Sequence, residues 1–572
     1  MSTINIERFY KSFPTLNHKR NRFPFEKEIN FDMQMGKITP IAAIRVVPGQ
    51  TYNLDLSTVI KVAPLVTPPM DNAVFKAFAF YNPDRNEWKN YKYWAGEKQN
   101  PENPEEEPTY LVPKAIAPEG GWSYGGFYDN IGCVPRVAGD KIDAYIPRTD
   151  REIYNYYFRN QSLENPLPIS KDDGDETTEE NENGETVAYN DALRNICKPR
   201  DLFTQCLPTQ SGTSPVEIPL GSYAPVIGNG KSIQIFDGTS YGNLIHSKIN
   251  TSNNIISYRG NLGTTSPDSV NVGTILESDG NTAEEHGALG LTTDGEKSGM
   301  IADLTKAMGA PLEGLYQAIA YNTMQYITSR GGGRYFEILS NIYGVANPDG
   351  VLQQPEFLGS TSQTIEFDTV TQTAEGGTTT TGVGHRAANG YMENYNRIIT
   401  KSFGEFGWII IYGVVTMYPK YQQGQSKLMD TEDPLELFNP IFNLMGDEPI
   451  YNGDIYYQGP NVKDENGDVI DDKVFGYGKR NSRLLYPVNE IHGKQRSQYP
   501  QSLDTNHFAQ LFDSLPKLNK TFDKVTDESF KRCLQITDET QFICNALITG
   551  IQDIEIPIES IPMPIPDISF NR

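Results

Sequence analysis

From Thr51 to Val62 the chain alternates, with Tyr52, Leu54 and Leu56 on one side of an extended backbone and Asn53, Asp55 and Ser57 on the other. Successive side chains fall on opposite faces only in a strand, so this run has one dry face and one wet face. Before it lies Ile41–Val47 and after it Ala73–Tyr81, both rich in β-branched and aromatic residues. Pro48-Gly49, Pro64, Pro68 and Asp71-Asn72 punctuate them. This is the pattern of antiparallel strands joined by turns. A later apolar run, Trp408 to Val415, is too short to span a bilayer and fits a buried strand. The 572 residues would ordinarily make about two to four domains. No linker cuts the chain cleanly, so the pattern favours one large β-domain carrying insertions.

Charge narrows the function. Asp plus Glu number 73 against 49 Lys plus Arg, a net −24. That balance opposes broad, non-specific binding of nucleic acid by the whole surface, although a small basic patch remains compatible with it. Mean hydropathy is −0.50. The N-terminal region has cations but no apolar core of the signal-peptide kind, so synthesis and retention in a cytosol are expected, without membrane insertion. The five cysteines, Cys133, Cys197, Cys206, Cys533 and Cys544, form no C-x-x-C pair and read as buried free thiols. With 32 Tyr, 50 Gly and 38 Pro, the composition suits large loops and large protein–protein contacts.

Residues 1–30 read as an arm, locally basic through Arg8, Lys11, His18, Lys19, Arg20 and Arg22, with Phe9, Tyr10, Phe13, Phe23 and Phe25 interleaved. Such an arm packs on a neighbouring subunit, or it contacts phosphates while bases stack on its aromatics. Lys11, Lys19, Arg20 and Arg22 are the candidate DNA contacts. Surface loops are expected at 95–110 and 172–186. The second holds eight acids between Asp172 and Glu185, a density that predicts a mobile, solvated segment. Residues 227–300 turn to Gly, Ser, Thr and Asn, a long insertion with few helix formers. A helical segment starts at Tyr145. Another follows the insertion, with Leu312, Leu315, Tyr316, Ile319 and Tyr326 on one face. The tail from Ile556 to Phe570 alternates Pro with apolar residues and should lie extended on another surface.

Motifs for catalysis are weak. G-x-S-x-G occurs around Ser123 and Ser240, but a nucleophile elbow needs a strand before the serine and a helix after it, and neither context is convincing. Gly230-Lys231-Ser232 mimics the end of a phosphate loop, yet Pro225 stands where the loop's first glycine belongs. The six histidines are scattered, without zinc spacing. Asp464 to Asp472 could hold a hard cation; a turn between strands is the simpler reading. Arg330 and Arg334 flank a glycine triplet, which reads as helix termination in preference to an anion site. No catalytic, cofactor or metal residue is nominated.

Several blocks carry a resemblance: Val47-Pro48-Gly49, Leu65-Val66-Thr67-Pro68, Met70-Asp71-Asn72 and Pro83…Arg85…Trp88; Ala117-Pro118-x-Gly120-Gly121-Trp122; Glu164-Asn165-Pro166; and, strongest, Gly332-Gly-Arg334-Tyr335-x-Glu337-Ile338…Gly344-Val345-x-x-Pro348-Asp349…Pro355-Glu356-x-Leu358-Gly359. Together they make the chain similar to the major capsid proteins of microviruses, on the gokushovirus-like branch. Tyr418-Pro419-Lys420 departs from that family, which usually has an arginine there.

The resemblance implies a mainly β fold, a single eight-stranded antiparallel viral jelly roll with long loop insertions and a few helices. It divides the chain into an arm (1–30), a first part of the jelly roll (31–226), the insertion (227–300), a second part with helices near 312–342 (301–529) and a C-terminal extension (530–572). It also implies a non-enzymatic chain that assembles in the bacterial cytoplasm, in sixty copies, into a T=1 virion shell around circular single-stranded DNA. The partners it implies are a small basic internal DNA-binding protein, a pilot protein and a host surface receptor met by a three-fold protrusion built from 227–300. The rival from another class is a carbohydrate-binding or glycan-cleaving β-sandwich, since Tyr- and Asn-rich loops suit sugars.

Overall fold

The structure is a computed structural model. It describes residues 20–99, 102, 108–180, 186–188, 192–210, 312–345, 353–373, 384, 386–431, 434–444, 446–536 and 540–556, together with short strands, traced as backbone alone, at 13–16, within 226–302 and at 568–571. The chain forms two compact units, Met1–Ser214 with Gln325–Arg572, and Pro215–Met324.

Eight strands build the main sheet of the first unit: β1 (Asn21–Met33), β2 (Thr39–Val46), β3 (Thr51–Val62), β4 (Ala73–Pro83), β5 (Glu356–Thr371), β6 (Arg386–Ser402), β7 (Gly407–Met417) and β8 (Phe542–Ile554). Their spatial order is β1-β8-β3-β6-β5-β4-β7-β2, antiparallel throughout. Strand β5 turns the corner: its first part pairs with Ala73–Tyr81 of β4 and its last six residues pair with β6. The halves β1-β8-β3-β6 and β5-β4-β7-β2 pack into one core, where Leu54, Leu56 and Ile60 of β3 meet Ile409 and Ile411 of β7 and Ala77 of β4. This is the expected jelly roll.

The alternation read from Thr51–Val62 is kept: Tyr52, Leu54, Leu56, Thr58, Ile60 and Val62 are buried and nearly all their neighbours half-buried. The run Trp408–Val415 is continuous in apolar residues because β7 is covered on both faces. Ile409 and Ile411 enter the shared core, whereas Ile410 and Tyr412 pack against a second cluster with Phe80, Trp122, Ile153 and Phe158. That second layer is carried by α1 (Tyr145–Ile153), every residue of which is buried, and by the π-helical turn Tyr154–Phe158 that continues it. The corner between β1 and β2 needs Gly36: its φ is +78°, and a Cβ there would sit 2.6 Å from the Val525 carbonyl oxygen.

Two further helices, α2 (Leu312–Gly331) and α3 (Tyr335–Tyr343), match the segment expected near 312–342. Gly332, at φ +99°, ends α2, and the Glu337 carboxylate accepts the Arg334 N–H at 3.0 Å to open α3, so the glycine triplet terminates a helix as read. The proposed apolar face of α2 is not covered: Leu315, Tyr316 and Ile319 stand exposed. In the second unit, backbone strands Gln234–Phe236, Tyr241–Asn250, Ile255–Leu262, Val270–Asn271 and Gly290–Leu291 form one antiparallel sheet.

Three expectations shift. Residues 21–30, assigned to the arm, are the first part of β1, and Phe542–Ile554, assigned to the C-terminal extension, is the inner strand β8. The acidic loop is not wholly solvated: Asp172 pairs with Lys89 at 2.8 Å, and Glu176 is buried against Arg148 at 2.6 Å, because cations distant in sequence meet it.

Candidate assembly surface

Of the four candidate DNA contacts, the described residues include Arg20 and Arg22. Lys11 and Lys19 lie outside the described residues. Arg20 and Arg22 stand together at one end of the β1–β8 ladder, and each faces an acid of the opposite strand. Arg20 pairs with Glu555 at 3.5 Å, and Arg22 grips Asp553, its register partner, with two bonds of 2.8 and 3.0 Å. The Arg22 guanidinium holds the Asp553 carboxyl below the usual carboxylate range. A phosphate at Arg22 would share the guanidinium with that carboxylate.

The Pro83…Trp88 block and the residues around it instead tie α1 and the following loop to the jelly roll. Asn82 at the end of β4 donates to both Glu87 and Glu152. Arg148 donates to the Glu176 carboxylate, the Glu87 carbonyl and the Asp172 carbonyl, and Lys171 donates to Glu152 and to the Asn86 carbonyl at 2.7 Å. Burial first, and then the neighbouring Glu152 carboxylate, push Glu87 well above its ordinary value. Asp71 of the Met70-Asp71-Asn72 block accepts the Phe508 N–H at 2.7 Å and pairs with Lys420, so the lysine at the departing position still supplies a cation to a buried acid.

The catalytic string around Ser123 gains no support, and Ser240 and Gly230-Lys231-Ser232 lie outside the described residues. The nearest strand before Ser123 ends at Ile116, and the loop between is turn and coil. A short helix, Phe127–Ile131, does follow it, which the sequence reading did not anticipate. Asp464 caps its own turn, accepting from the N–H groups of Asn466 and Asp468 and from Lys473, and Asp471 accepts from Gln458 and Gly459. Those bonds occupy the carboxylates of Asp464 and Asp471. Among the described residues no group of three or more His, Cys, Asp or Glu could hold a metal ion. Lys198 is buried beside an open cleft of about 460 Å³, donating to Gln510 at 2.7 Å and to the Phe522 carbonyl; burial draws its ammonium down to about 8. No nucleophile, base and orienting group converge there.

Apolar exposure is the more telling feature. Leu428, Met429, Leu437, Phe438, Ile441, Leu484 and Leu485 are each more than half exposed, Ile441 to 80%. Two polar ties hold their three segments together. Asp454 accepts from the Lys427 N–H at 2.9 Å and from Arg483 at 2.6 Å, and Asn481 donates to Asn443 at 2.9 Å. Polar groups turn inward and leucine, isoleucine and phenylalanine turn out. Sequence reading missed this patch because its residues follow neither a strand nor a helix period. The available signal was apolar residues inside loop text, as in Leu437-Phe438-Asn-Pro-Ile441.

The jelly roll buries its own core, yet the chain leaves large apolar side chains in water, which fits contact with other protein. A family model described as capsid protein (F protein) matches residues 12–563. The chain belongs to this phage capsid family. As a member of the F capsid family it resembles capsid protein VP1 of Spiroplasma virus 4, at 29% identity over 543 residues and 92% of each chain. It resembles capsid protein VP1 of Bdellovibrio phage phiMH2K, at 29% over 535 residues, again 92% of each, and that of Chlamydia phage 1, at 26% over 584 residues and 97% of each. The F-family assignment gives the chain a major capsid role in a microvirus and places it in the virion. Among the described residues no helix is long and apolar enough to cross a membrane.

Proposed function

We propose that this chain is the repeating subunit of a T=1 icosahedral shell, sixty copies enclosing circular single-stranded DNA. The observation that carries the reading is the family match over nearly the whole chain, joined to a jelly roll whose loops expose apolar surface. A net charge of −24 makes the subunit a poor neutraliser of DNA, which supports a small basic internal protein as partner. A pilot protein and a host surface receptor complete the partners, and assembly takes place in the bacterial cytoplasm. The segment 227–300 falls within a compact unit of its own with its own sheet, which suits a three-fold protrusion that meets the host.

Size-exclusion chromatography of the purified chain tests the shell: megadalton particles are expected, and a monomer that binds glycans would favour the sandwich rival. Removing residues 240–298 should leave particles intact and abolish adsorption to the host. Unchanged adsorption would reject the protrusion as the attachment element.

A further inference from the structure

We propose that the exposed apolar patch formed by Leu428, Met429, Phe438, Ile441, Leu484 and Leu485 is a contact between neighbouring copies of this chain. The proposal rests on the capsid reading and specifies where one of its interfaces lies. The short helix Ser482–Leu485 is the middle of the patch. Asp454 ties Lys427 and Arg483 together on one side of it, and the Asn481–Asn443 bond ties the Phe438–Ile441 segment on the other. Glu448 accepts from the N–H groups of Asn481 and Ser482 at 2.9 Å each, which fixes the start of the helix. The backbone is therefore held from beneath while the six side chains face water.

Area and charge select the occupant. Six large residues exposed by 52–80% present a surface on the order of the ~800 Å² per partner found in specific interfaces, above the roughly 300–600 Å² of the largest apolar patch on an ordinary monomer. DNA would seek free cations; none of the six residues is one, and the adjacent Lys427 and Arg483 are paired with Asp430 and Asp454. A glycan would seek hydrogen-bonding groups, which the patch lacks. A second copy fits. Chains of charge −24 repel one another at long range, so their association must come from short-range apolar burial at sites like this.

The test compares the full chain with the double variant Ile441→Asp, Leu485→Asp by sedimentation velocity over a range of concentrations. Both positions are exposed, so the variant should keep the circular dichroism and thermal midpoint of the native subunit. Its threshold concentration for assembly should rise at least tenfold. A second measurement does not depend on that variant folding: benzoylphenylalanine installed at Phe438 should, on irradiation, give a covalent dimer of the chain. A variant that assembles at the native threshold, or a photoproduct confined within one chain, overturns the proposal. If the native chain forms no shells, the capsid reading fails on its own. The patch then still requires small oligomers that the double variant abolishes, and a native chain that stays monomeric overturns both.

Discussion

Glu87 shows how a single residue can set the pH response of this subunit. It is fully buried at the end of the β4 block, facing Glu152 across the Asn82 amide. Its folded pKa lies well above the ordinary 4.5. The folded state therefore keeps a proton that the unfolded chain has released. The stabilisation this represents is fully present below about pH 4.5 and is lost as pH rises through the folded value. Glu87→Gln imitates the protonated carboxyl and has nothing to lose. The urea midpoint of the unassembled native subunit should fall from pH 5 to pH 9 relative to that of Glu87→Gln. Parallel profiles for the two proteins would mean that Glu87 is already ionised in the fold.

At the scale of elements, an inner strand and an edge strand should respond differently. Leu54 on β3 is fully buried where both halves of the jelly roll meet, so Leu54→Ala leaves a cavity and should cost about 3–5 kcal/mol in denaturant unfolding. Arg22 lies on β1, at the edge of the sheet, in a solvent-exposed ion pair, and Arg22→Ala should leave the unfolding midpoint at the native value. Equal losses in the two variants would show that the ladder end is as structural as the core. The same contrast explains what the residues disclose. β3 and β7 were legible because burial on one face, or on two, writes alternation or a continuous apolar run. β1 carries an alternation too, in Phe23, Phe25, Ile29, Phe31 and Met33. Arg22, following Lys19 and Arg20 among interleaved aromatics, gives it the look of a basic, aromatic arm. β8 was hidden because Ile543 and Leu547 blur the alternation of Phe542, Cys544, Ala546 and Ile548, while Asn545, Thr549 and Gly550 break any continuous apolar run. The pairing of the exposed Asp172 and the buried Glu176 could not be seen, because their partners Lys89 and Arg148 lie in other segments.

For the whole molecule the opposing terms are long-range repulsion and short-range burial. Each subunit brings a charge of −24 to a shell in which it has several neighbours, and exposed apolar side chains must overcome that repulsion at contact. Salt acts on the two terms unequally. At 0.01 M the Debye length is about 30 Å, so whole subunits repel one another, whereas at 0.1 M it is about 10 Å and only charges near the contact are felt. Apolar burial is left almost untouched over the same range. Light scattering of the purified chain should therefore show the assembly threshold falling as sodium chloride rises from 0.01 to 0.5 M. A threshold that rises with salt would mean that opposite charges across the interfaces, in place of leucine and isoleucine, hold the copies together. The substitutions Ile441→Asp and Leu485→Asp should then be nearly silent.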